Sequence, residues 1–101
     1  MIAAVLALLL AAAAVGPYEP TVADVAARGD LEAVRELLRN GADVNNPQGD
    51  GMTALHWAAE RGDAPLAEVL IYSGANVNAG TRIGRYTPLH LASRGGHAKI
   101  V

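Results

Sequence analysis

A segment of this chain recurs with a period of about 33 residues, and that period constrains the fold more than anything else in it. Gly29-Asp30 leads through an apolar stretch to Gly41-Ala42-Asp43-Val44-Asn45, and Gly62-Asp63 leads in the same way to Gly74-Ala75-Asn76-Val77-Asn78. A repeat of this length means a solenoid, because no single unit can bury its own apolar face. The functional question then moves from a catalytic pocket to an extended surface.

Within each period the punctuation is helical. Val22, Val25 and Ala26 fall on one face of a short helix that stops at Gly29. Asp30 then caps a second helix, where Leu31, Val34, Leu37 and Leu38 form an amphipathic stripe. Gly41 ends that helix, since glycine takes the left-handed conformation without steric cost. The next unit repeats the grammar. Thr53 caps a helix from Ala54 to about Arg61 with Leu55, Ala58 and Ala59 inward, and Gly62 stops it. Asp63 caps the following helix, Pro65 falls in its first turn, Leu66, Val69 and Leu70 face the core, and Gly74 ends it. Thr87-Pro88 opens a third unit through Leu89, Leu91 and Ala92 to Gly95-Gly96. The connecting segments, Asn46 to Met52 and Ala79 to Tyr86, are rich in turn formers. The second is one residue longer, which an exposed turn tolerates at little cost. The expected core positions are led by Leu37, Leu38, Leu55, Leu70 and Leu89.

Thr53-Ala54-Leu55-His56-Trp57-Ala58-Ala59 and Thr87-Pro88-Leu89-His90-Leu91-Ala92 resemble the ankyrin-repeat signature. Gly74-Ala75-Asn76-Val77-Asn78 and Gly41-Ala42-Asp43-Val44-Asn45 are similar to that family's closing segment. The resemblance covers residues 21–101, in units of about 21–52, 53–86 and a partial 87–101. The first unit departs from it, with Pro20-Thr21-Val22-Ala23 where Thr-Pro-Leu-His would fall. The resemblance implies an all-α solenoid of stacked antiparallel helix pairs joined by turn or hairpin fingers. It implies that His56 and His90 tie Thr53 and Thr87 to neighbouring backbone. It further implies a protein–protein interaction scaffold whose partner docks on the fingers and the concave face. Carried over by position, the contact residues are Pro47, Gly49, Asp50, Met52, Trp57, Glu60 and Arg61 in the second unit, and Arg82, Ile83, Arg85, Tyr86 and Arg94 in the third. The extra residue leaves the register of Arg82 to Tyr86 open.

Ahead of the repeats, Met1 to Val15 is an unbroken apolar run, shorter than the roughly 20 residues of a membrane-spanning helix. Leu6, Leu8, Leu9 and Leu10 point all round a helix and line no single stripe. The run fits a secretory leader ending in small residues, with cleavage after Ala13 or Ala14. It lacks a basic residue before the apolar core, so a retained membrane anchor and a mis-called start codon stay open. The protein is accordingly exported if the leader is cleaved, membrane-tethered if it is kept, and cytoplasmic if the start is wrong. Gly16 to Pro20 form a linker that proline keeps from being helical. At the other end the third unit stops within its second helix without a polar cap, as a piece of a longer protein would.

Other chemistry finds little support. The chain has no cysteine, hence no disulfide or thiol nucleophile. Its net charge of −2 offers no footprint for nucleic acid. His56 and His90 lie one repeat apart, too far to share a metal ion. His97, at the position of Asp63, reads as a helix-start residue. Ser73 and Ser93 sit on helices, with no strand-borne elbow, and the glycines of residues 80–84 precede no phosphate-loop lysine. No cofactor and no catalytic residue are implied. Two other functional classes stay open: a regulatory or targeting segment of a larger secreted enzyme or toxin, and a membrane-tethered scaffold.

Overall fold

The computed structural model describes residues 20–97. The expected leader, most of the expected linker and the first turn expected after His97 lie outside the described residues. Five helices follow in order: α1 (Val22–Ala27), α2 (Leu31–Arg39), α3 (Ala54–Arg61), α4 (Ala64–Tyr72) and α5 (Pro88–Arg94). The described residues contain no strand. The architecture is the expected all-α stack.

Each helix begins where a side chain takes up an otherwise unpaired amide. Asp30 accepts from Ala33 N at 3.1 Å to start α2, and Asp63 accepts from Leu66 N at 3.2 Å to start α4. Thr53 and Thr87 start α3 and α5, each reciprocated by a histidine three residues on. This is a capping box in which imidazole takes the place of the usual carboxylate. The same Gly-to-cap junction recurs in backbone bonding: Asp30 N donates to Val25 O, Asp63 N to Ala58 O and His97 N to Ala92 O. His97 therefore occupies the position of the aspartates, although the helix it would start lies outside the described residues.

In the first unit the register differs from the sequence expectation. Thr21 is the cap of α1, and Asp24 plays the part of the histidine, accepting from Thr21 N at 2.9 Å. From cap to closing glycine the unit spans Thr21 to Gly29, one residue less than Thr53 to Gly62. Aligning back from Thr53 by a full period placed the cap at Pro20, because the missing residue falls inside the helix. Ala23, fully buried, joins Val22, Val25 and Ala26 in the core.

The first helices of successive units form one layer, with α3 packed against α1 on one side and α5 on the other. The second helices, α2 and α4, each pack on the first helix of their own unit. The main core lies between these layers, around Val25, Val34, Leu55, Ala58, Leu66 and Leu70. Leu66 and Leu70 are wholly excluded from solvent, which contributes about 1.5–3 kcal/mol each. Three expected core positions differ. Leu37 and Leu38 are only half-buried, packed on the edge of this core. Leu89 is 53% exposed, whereas Leu55, its counterpart one unit earlier, is 2% exposed. Leu55 lies in the core against α4, the second helix of its own unit, whereas the described residues of the third unit include only its first helix. Among the described residues no helix is long and apolar enough to cross a membrane.

Candidate partner-binding groove

The fingers and the inner helices enclose a groove between the second and third units. Its volume is about 490 Å³. Met52, Trp57 and the buried Leu91 supply apolar lining, the first finger contributes Gly49 and Asp50, and the second contributes Thr81, Arg82, Ile83 and Tyr86. Glu60 and Arg94, also in the lining, are joined across units α3 and α5 by an ion pair of 3.5 Å. Nine of the twelve candidate contact residues thus converge on one surface: Gly49, Asp50, Met52, Trp57, Glu60, Arg82, Ile83, Tyr86 and Arg94. Pro47, Arg61 and Arg85 do not line it.

The second finger is held by its own side chain as well as by its backbone. Thr81 N donates to Tyr86 O at 3.0 Å. The Thr81 hydroxyl donates to Ile83 O at 2.8 Å and accepts from Tyr86 N at 3.1 Å. Thr81 is consequently buried (8% exposed) although it sits in a turn. In the first finger the equivalent closure is Gln48 N to Met52 O, at 2.9 Å. Comparing the two closures places the extra residue of the second finger between Thr81 and Tyr86. Gly84 (φ +84°) and Arg85 (φ +54°) both adopt the left-handed conformation there, so the longer loop closes through two successive left-handed residues and Arg85 carries the strain. The fingers are also linked to each other, Arg82 N donating to Asp50 O at 3.0 Å.

Buried beneath this finger, His56 is fully excluded from solvent. Its Nδ1 accepts from Thr53 N at 3.0 Å, so Nε2 carries the proton and donates to Tyr86 O at 2.8 Å. One imidazole closes the cap of α3 and anchors the next unit's finger. His90 makes the matching cap, with Thr87 N at 3.0 Å from Nδ1, but its ring is exposed and packs edge-on to Tyr86. Tyr86 also carries the Arg94 guanidinium over its face, 5.5 Å from the ring centroid.

Three contacts escaped the sequence reading. Trp57 Nε1 donates to Gln48 Oε1 at 2.9 Å, and Gln48 Nε2 donates to Asp24 Oδ1 at 2.9 Å. The groove tryptophan is thus oriented through the first finger from the cap of α1. The Thr-x-x-Asp spacing of Thr21 and Asp24 was the available signal, since it matches Thr53 and His56. Arg61 Nη1 donates to Ala27 O at 3.3 Å, and its guanidinium lies over Gly29, where a Cβ would come within 2.6 Å of it. That side chain fastens the second unit to the first. Asn45 does the same on the opposite edge, donating from Nδ2 to Gly74 O at 3.2 Å and accepting from Asn76 N at 2.6 Å.

The family model described as ankyrin repeats (3 copies) matches residues 22–101. Among curated proteins, the palmitoyltransferase Hip14 of Drosophila melanogaster is 40% identical over 73 residues, covering 72% of this chain and 12% of that protein. The RelA-associated inhibitor of Mus musculus is 39% identical over 70 residues, 69% of this chain and 8% of that protein. The potassium channel AKT1 of Oryza sativa subsp. indica is 38% identical over 71 residues, 70% and 8% respectively. The chain spans about a tenth of the length of these relatives. Capped helix pairs, closing asparagines, a histidine-anchored finger and the family match agree: this chain belongs to the ankyrin-repeat family.

Proposed function

We propose that this array is a non-catalytic interaction module that receives a partner protein in the groove between its second and third units. Ankyrin repeats are protein-interaction modules, and one observation carries the assignment to this groove. Exposed Ile83 (87%) and Tyr86 (44%) stand on a finger whose backbone is fixed from three sides, beside the oriented Trp57. A rigidly displayed apolar surface loses little entropy when it is covered. The net charge of −2 favours a protein over nucleic acid.

The test is comparative capture on the native protein, its Trp57→Ala and Tyr86→Ala variants, and a Glu68→Ala control on the outer helix layer. Partners retained by the native protein and the control but lost from both groove variants support the reading. Equal capture by all four overturns it.

Export completes the proposal. Four alanines and Val15 close the apolar run before Gly16, small residues of the kind that precede the cleavage site of a leader, and the module would act in the periplasm or outside the cell. A second reading is supported by the relatives, which include palmitoyltransferases of which this chain covers 12%. In that reading the array is the recruiting or regulatory segment of a longer enzyme. Intact-mass measurement with mapping of both termini of the native protein separates the two. A mature start near Val15 supports export, and peptides continuing past Val101 support the longer chain. A start at Met1 removes cleavage and leaves the tethered scaffold, which carbonate extraction of membranes would reveal.

A further inference from the structure

The charged groups around the groove are not equally engaged. The Asp50 carboxylate accepts from Met52 N at 3.0 Å, and Glu60 is paired with Arg94. Arg94 is further stacked on Tyr86. By contrast, the guanidinium groups of Arg82 and Arg85 make no ion pair or hydrogen bond with any described residue. Both are exposed, and they bracket Ile83 on the second finger, which carries no acidic residue. A chain of net charge −2 thus presents a locally basic finger with an apolar tip.

Resting on the interaction-module reading above, we infer that the groove's occupant is an acidic peptide segment that carries an apolar anchor side chain between or beside its carboxylates. Arginine's planar fork matches a carboxylate with two parallel bonds and is weakly hydrated, so it gives up little water on pairing. The apolar anchor would sit against Ile83, Met52 and Trp57, while the flanking carboxylates meet Arg82 and Arg85. A volume of about 490 Å³ takes a few side chains and not a folded domain. A phosphate backbone would satisfy the arginines but leave Ile83 and Met52 without an apolar partner.

Selection of a random-peptide phage library on the intact native protein tests this, with the Arg82→Glu/Arg85→Glu double variant selected in parallel. Both substitutions are on the surface, and superimposable circular dichroism spectra establish that the variant folds. The native protein is expected to enrich peptides with Asp or Glu flanking a large apolar residue. The double variant is expected to bind those same synthetic peptides about tenfold or more weakly and to enrich Lys- or Arg-flanked ones instead. Ile83→Ala should weaken both classes. Salt should weaken the native pairing, as for any exposed charge pairing. Native selection without acidic bias, or peptides bound equally by native and double variant, overturns the charge assignment while leaving the interaction module standing. Enrichment of nothing by either protein, together with equal partner capture by the groove variants, overturns both. A short oligothymidylate that displaces the peptide from the native protein and is indifferent to Ile83→Ala overturns it in favour of a general polyanion site.

Discussion

At the scale of single residues, the two histidines at equivalent positions do unequal work. His56 closes its cap and reaches Tyr86 O of the following unit, while His90 closes only its cap. Replacing buried His56 by alanine strands Thr53 N and removes the donor to Tyr86 O, and each unsatisfied buried group costs about 1–3 kcal/mol. His56→Ala is therefore expected to destabilise by about 3 kcal/mol in urea unfolding, and His90→Ala by about 1 kcal/mol. Equal losses would show that the bond to the next finger contributes nothing. Leu55 is a second test at this scale. At 2% exposure it lies within the hydrophobic core, where a carboxylate would be buried without its hydration, so Leu55→Asp should abolish cooperative unfolding. A sharp thermal transition retained in that variant would refute the stacking of the core around it.

At the scale of elements, the helix boundaries follow from the local punctuation. The sequence reading ran the helix of the second unit from Ala54 to about Arg61, and α3 has those bounds. Capping is a matter of residues within one turn of each other, so it is legible without tertiary information. The glycines that end the helices look alike in the sequence but differ in surroundings. Gly74 (φ +92°) has open space where a Cβ would go, whereas at Gly62 (φ +68°) a Cβ would come within 2.5 Å of His97 Nδ1. Gly74→Ala should thus cost only the left-handed backbone penalty, about 1–2 kcal/mol. Gly62→Ala should cost more, because the His97 ring must also leave Glu60 O, to which it is now bonded at 3.2 Å. Thermal denaturation of the two variants gives the comparison, and an equal shift would mean that the His97 contact is of no consequence. The missing residue in α1 shows the limit of counting. A deletion inside a helix shifts the cap by one place, so counting back by a full period misses it, and the bonds between Thr21 and Asp24 show where it lies.

At the scale of the whole molecule, units are coupled by contacts between residues some thirty positions apart. Asn45 binds Gly74 and Asn76 on one edge, Arg61 binds Ala27 on the other, and His56 and the Arg82–Asp50 backbone bond join the fingers. In a linear array, such nearest-neighbour terms decide whether the units unfold together. Asn45→Ala should cost about 1–2 kcal/mol and speed hydrogen exchange at the Asn76 amide more than at the amides of α3. Unchanged exchange at Asn76 would rule out this coupling.

The sequence by itself determined the repeat, every cap but that of α1, the all-helical stack and most residues of the groove, because each depends on local chemistry recurring at a fixed spacing. Only the tertiary structure decided how those residues are used. It placed Arg61 on the backbone of the preceding unit and not in the groove. It held Trp57 through Gln48 and Asp24, and left Leu89 uncovered among the described residues while enclosing Leu55. Each of these outcomes depends on which unit lies alongside and at what register. Local spacing carries no record of that, since the same side chain at the same repeat position can meet a neighbour or meet water.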